Sequence, residues 1–102
     1  MAATHGFHFH KERLEPGAET TLTPCHRIVF AARGTATVAG EALATETANH
    51  SEEGTEITAG PEGAELWRWD LAPMGTEPMA AAGDGVSSEL IQVQPIDTLP
   101  LD

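Results

Sequence analysis

The chain has 102 residues, 40% of them apolar, which fills one domain with one core and calls for neither a disulfide nor a structural metal. Sixteen acidic side chains against five basic ones leave a formal charge of −11, a field that repels phosphates and anionic lipid, so neither nucleic acid nor a membrane surface is an expected partner. Cys25 is the lone cysteine, no apolar run nears the ~20 residues of a membrane helix, and residues 1–13 lack a signal-peptide core. The expected compartment is the reducing cytoplasm.

Alternation dominates the chain from its start, as half-buried strands require. Phe7 and Phe9 interleave with His8 and His10, and the Pro-Gly of "EPGAE" at 15–19 ends this first strand. Ile28, Val29 and Phe30 make a second strand, which Gly34 is expected to break into a hairpin. A short arm through Val38, a tight turn around Gly40 and Glu41, and an apolar return at Leu43 follow. Beyond them the sequence predicts a strand near 48–50, a Gly54 turn, a strand through Ile57, a turn from Gly60 to Gly63, and a strong strand from Ala64 to Leu71. Residues 73–88 have the Pro, Gly, Ala and Ser content of a loose surface loop, and 89–102 hold one last strand and a tail. Pro95 and Pro100 exclude a long helix or a central strand there, and Leu90, Ile91, Ile96, Leu99 and Leu101 need cover from the barrel exterior or another subunit. Short strands punctuated every eight to twelve residues imply one all-β domain, a sandwich or a barrel, over 1–102.

From Leu14 to Leu71 the order of features resembles a small cupin, a double-stranded β-helix barrel of jelly-roll type. "LEPGAETTLTP" looks like the family's opening turn, "RIVFAARGTATVAG" like its strand-glycine-strand hairpin, and "GTEITAGPEGAELWRWDL" like the closing half of its second motif. The resemblance implies a divalent metal held by His-x-His, a Glu and a later His. Aligned on Gly34, those positions carry Thr21, Thr23 and Arg27, with Ile57 or Glu56 for the last histidine, so the metal set does not carry over. "PIDTLPLD" has the look of a link toward a second barrel, as where a degenerate half accompanies a metal-bearing one.

Individual residues divide between structural and functional readings. If Arg27 faces a barrel interior it needs an anion, either one of the chain's own acids or a ligand carboxylate or phosphate, with Thr21 and Thr23 beside it by parity. Trp67 and Trp69 share a face with Leu71 and are expected to fill the core, the alternative being a stacking wall for a flat ligand; Arg68 and Asp70 then form a surface pair. His8 and His10 are read as structural or solvent-facing, since alternation with phenylalanine already explains their spacing. His26, His50 and Glu56 are the alternative metal set if adjacent strands bring them together. Cys25, next to His26, reads as an inert packed thiol because neighbours on a strand point to opposite faces.

These readings yield a metal-free, cupin-like small-molecule binding or regulatory module, with a pocket around Thr21, Thr23, Arg27 and Trp67 for a small polar or anionic ligand. One alternative is a metal-dependent enzyme, an isomerase, dioxygenase or lyase using iron, zinc, manganese or nickel. Another is a structural or interaction domain whose interior is filled by its own side chains. No residue is assigned a catalytic role. Ile28 and Phe30 lie opposite Arg27, where a second copy would cover them, so a homodimer is expected.

Overall fold

A computed structural model describes residues 5–52, 54–73 and 81–96. Among the described residues, seven strands form one antiparallel sheet: β1 (His5–Leu14), β2 (Glu19–Leu22), β3 (His26–Val38), β4 (Glu41–Leu43), β5 (Ala48–Ser51), β6 (Thr55–Pro73) and β7 (Val86–Ile96). No helix occurs among the described residues, so none is long and apolar enough to cross a membrane. The strand order is β4-β3-β6-β1-β7, with β2 also paired to β6 and β5 to β3. One side of this single sheet is buried from Leu14 to Ala72, yet no second layer covers it among the described residues. The sheet therefore curls over itself, and the core lies in its concave side.

That core is built of small and branched apolar residues: Leu14, Leu22, Val29, Ala31, Ala36, Val38, Leu43, Ile57, Ala59, Ala64 and Leu66. Curling requires the two long strands to bend, and irregular pairing between Ala31 and Arg33 and between Gly34 and Ala36 marks the bend in β3. Gly34 does not close a hairpin, as its position predicted, but sits inside β3 at φ 70°. A Cβ there would lie 2.1 Å from the Gly63 carbonyl oxygen, so the residue permits close approach of β3 and β6. The reversal comes instead at Ala39 and Gly40, whose φ angles of 51° and 81° suit a two-residue hairpin turn.

Gly60 and Gly63 likewise make no turn, because β6 runs unbroken from Thr55 to Pro73. Inside positions on this strand are odd-numbered through Ile57 and Ala59, then even-numbered from Ala64 through Leu66, Arg68, Asp70 and Ala72. The change of parity falls at Gly63 and Ala64, both buried, and reverses every side chain beyond it. The last strand begins at Val86, inside the stretch read as loop, and carries Pro95 at a sheet edge where no ladder donor is needed. Residues 81–85 connect to it without strand or helix, while residues 74–80 of the expected loop and 97–102 of the tail lie outside the described residues.

Candidate functional site

The parity change in β6 decides what fills the concave side. Arg68 and Asp70, expected at the surface, are both fully buried, whereas Trp67, Trp69 and Leu71 stand half-buried on the outer face. On β1 the same alternation turns His8, His10 and Glu12 inward and Phe7 and Phe9 outward. Hydrophobicity alone would orient both strands the other way. The inward ions are matched in sign and gathered into one network: Asp70 accepts from Arg27 Nε at 2.9 Å and Arg27 Nη2 at 3.0 Å, and also from Arg68 Nη1, while Arg68 Nε donates to Glu12. Arg27 Nη1 donates to Thr55 Oγ1 at 3.0 Å, and Ser51 Oγ lies 3.0 Å from the same hydroxyl. Two guanidinium groups thus face two carboxylates, the balance that charges withdrawn from water require.

Arg27 therefore points inward as its alignment implied, and its anion is an acid of the chain. It is 1% exposed, and Arg68 and Asp70 are 0% exposed, so all three are closed off from bulk solvent. His8 Nδ1, His10 Nδ1, Glu12 Oε2 and Arg68 Nη2 have no hydrogen-bond partner among the described residues. Burial, and secondarily the Arg68 charge, lower the His10 pKa from 6.5 to about 4, so its imidazole is neutral at physiological pH. Burial also raises the Cys25 thiol, with the Asp70 charge acting in the same direction; the thiol donates to the backbone carbonyl of His26. The outcome is a thiol poorly suited to nucleophilic work.

The other residues singled out in the sequence are dispersed. Thr21 and Thr23 are exposed, because Thr20 and Leu22 are the inward pair of β2 and the turn before β3 resets the parity with Arg27. Trp67 is on the opposite side of the sheet from Arg27. The four proposed pocket residues are thus not brought together. The cupin metal positions do not fit an ion either: Arg27 is held by Asp70, the two threonines face solvent, Ile57 is in the apolar core, and Glu56 is exposed opposite Thr21.

What β3 and β5 do bring together is His26, His50 and Glu52. Ile28 pairs with His50 and Arg27 with Ser51, so continuing the register sets Glu52 across from His26, with His50 on the diagonal. All three are exposed, and one ligand atom from each lies within 4.8 Å of the others. Glu56, the carboxylate anticipated for this group, is replaced by Glu52: β5 flanks this end of β3 on one side and Trp69 to Leu71 of β6 on the other, while Glu56 lies in the part of β6 that pairs with β2 and the far end of β3.

The second assembly is the outer face itself. All three phenylalanines and both tryptophans of the chain stand on it. Phe9 stacks on Trp69 with ring centres 4.9 Å apart and planes 13° from parallel, while Trp67 meets Phe9, Trp69 and Phe30 at 5.6 to 6.4 Å. Lys11 places its ammonium 5.7 Å from the Trp67 ring centre. Pairing sets Leu71 beside Phe7 and Ile28 beside Trp69, and on the far side Gln94 and Gln92 beside Phe7 and Phe9. A trough of about 270 Å³ runs between Phe7, Phe9, Trp69, Gln92 and Gln94. No acidic residue belongs to this block of ten, in which Lys11 is the one charge, and Ile28 at its margin is 38% exposed.

No family model matches this chain, and neither a curated protein nor a solved structure matches it.

Proposed function

We propose that this protein is an interaction domain that pairs with a second copy of itself through the outer aromatic face of β3, β6, β1 and β7. The observation that carries the reading is an inversion: two guanidinium and two carboxylate groups are inside, and every Phe and Trp ring is outside, on one patch whose single charged member is Lys11. Aromatic side chains dominate the energetics of interfaces as they do of cores, and a chain that leaves all of them half-buried gains most by covering them.

A second copy suits this face better than a flat ligand. Phe9 and Trp69 already stack one ring face each on the other, which leaves less free ring face for a flat ligand to stack on. Two chains of charge −11 repel over most of their surface, and the block without acids is where they can approach. Facing sheets pack about 10 Å apart, and a two-fold axis sets the same patch against itself. Four strands at ~4.8 Å spacing, each with two or three same-face residues ~6.8 Å apart, offer a flat area of roughly 300 Å² per copy. Standing rings add to that figure, yet the contact stays below the ~800 Å² per partner of a standard interface, which marks a weak, exchanging dimer.

The fold in this reading is a cupin-type barrel. Its support is an antiparallel sheet curled on itself, with Arg27 inside as the alignment on Gly34 implied. A ligand-binding interior is disfavoured because the Arg27, Arg68 and Asp70 side chains are closed off from solvent. Sedimentation velocity over a dilution series tests the proposal. The wild type is expected to shift from dimer to monomer on dilution, and Trp69→Gln to remain monomeric with an unchanged circular dichroism spectrum. A wild type that is monomeric throughout, or a Trp69→Gln that dimerises equally well, would overturn it.

A further inference from the structure

We infer that His26, His50 and Glu52 form a binding site for one divalent transition-metal ion of the zinc type, on the outer surface of β3 and β5. Metal–ligand bonds of about 2.0–2.2 Å in a tetrahedral site put neighbouring ligand atoms ~3.3–3.6 Å apart. His26 Nδ1 and Glu52 Oε1 are already 3.4 Å apart. One edge of the tetrahedron is therefore already at ligand spacing. The imidazoles of His26 and His50 lie nearly parallel, 26° between planes, with centres 6.4 Å apart. All three ligand atoms lie within 4.8 Å of one another and all three side chains are exposed, so a small rotation suffices to bring the third to ligand spacing.

The donor set selects the ion. Two imidazoles and one carboxylate suit zinc, nickel or copper, while magnesium and calcium prefer all-oxygen ligation. The chain's charge of −11 favours any cation near its surface, and Glu52 supplies one formal charge at the ion itself. Three protein ligands leave a fourth position for water, the arrangement of an open site rather than a closed structural one. All three ligands come from one chain, so the site does not depend on pairing through the aromatic face.

Isothermal titration calorimetry of the untagged full chain with zinc chloride near neutral pH tests this. One zinc ion per chain is expected, with magnesium chloride giving no saturable heat. His50→Asn and Glu52→Gln should each weaken zinc binding at least about tenfold, the loss that follows removal of a ligand. Glu56→Gln, an exposed carboxylate outside the group, should bind as the wild type does. The substituted positions are exposed, so circular dichroism should show an intact fold in each variant. Absence of saturable zinc binding up to about millimolar concentration, or wild-type affinity in both His50→Asn and Glu52→Gln, would overturn the inference.

Discussion

Asp70→Asn removes one negative charge and almost no volume from the concave side of the sheet, which makes it a sharp probe of the buried network. In the wild type, Asp70 accepts two hydrogen bonds from Arg27 and one from Arg68, and Glu12 takes the other Arg68 donor. The substitution leaves two guanidinium groups against one carboxylate, in a region where Arg27 and Arg68 are at most 1% exposed. Breaking a buried pair from one side costs about 3–5 kcal/mol, because the surviving charge stays out of water without its partner. Set against total stabilities of about 5–15 kcal/mol, this is roughly a fifth or more of what holds a domain this size together. Had the pair been at the surface, as the sequence suggested, the loss would be below about 1 kcal/mol. Urea unfolding followed by tryptophan fluorescence distinguishes the two values. Adding Arg27→Met to Asp70→Asn restores the charge balance, so the double variant should be more stable than the sum of the single losses implies, by roughly 0.5–3 kcal/mol. A single-variant loss under about 1 kcal/mol, or strict additivity in the double variant, would refute the argument.

Stability should also depend on pH through His10. Its folded pKa of about 4 lies below the ordinary 6.5, so between these values the unfolded chain binds a proton that the folded chain refuses. The contribution is fully present above pH 6.5 and is lost as pH falls toward 4, amounting to about 3 kcal/mol by the lower value. Urea midpoints measured across this window should drop, and His10→Gln should flatten the drop; an unchanged slope in that variant would reject the assignment. At Gly34, both the positive φ and the 2.1 Å approach of a Cβ to the Gly63 carbonyl predict that Gly34→Ala loses at least about 2 kcal/mol. Gly17→Ala, at φ 74° with no atom within 4 Å, should lose only about 1 kcal/mol. Equal thermal shifts for the two variants would show that the contact between β3 and β6 does not constrain Gly34.

The all-β class was legible because short alternating segments separated by glycine and proline have few other solutions. The inward placement of Arg27 was legible too, as was its need for an acidic partner. Orientation on β6 was not. Nothing in "GPEGAELWRWD" announces that two buried residues in succession reverse the alternation, so size and hydrophobicity pointed the tryptophans inward. The error carries across the sheet, since β1 pairs with β6 and its phenylalanines face the same side as the tryptophans. One signal was available: if Trp67, Trp69, Phe7 and Phe9 are all outside, the outer positions Ile28 and Phe30 extend a single patch. His26 and His50 were recognisable as ligand types, but choosing Glu52 over Glu56 requires knowing that β5 borders β3, which no local pattern encodes.

Pairing through the aromatic face is the central claim, and contacts between copies report on it directly. Isotope-filtered nuclear Overhauser spectra of mixed labelled and unlabelled chains should show ring protons of Trp69 and Phe9 in one copy touching the same cluster in the other. Spectra holding contacts within one chain alone at concentrations above the dissociation constant would contradict it. So would cross-copy contacts confined to Leu90 and Ile91, the exposed apolar pair of β7.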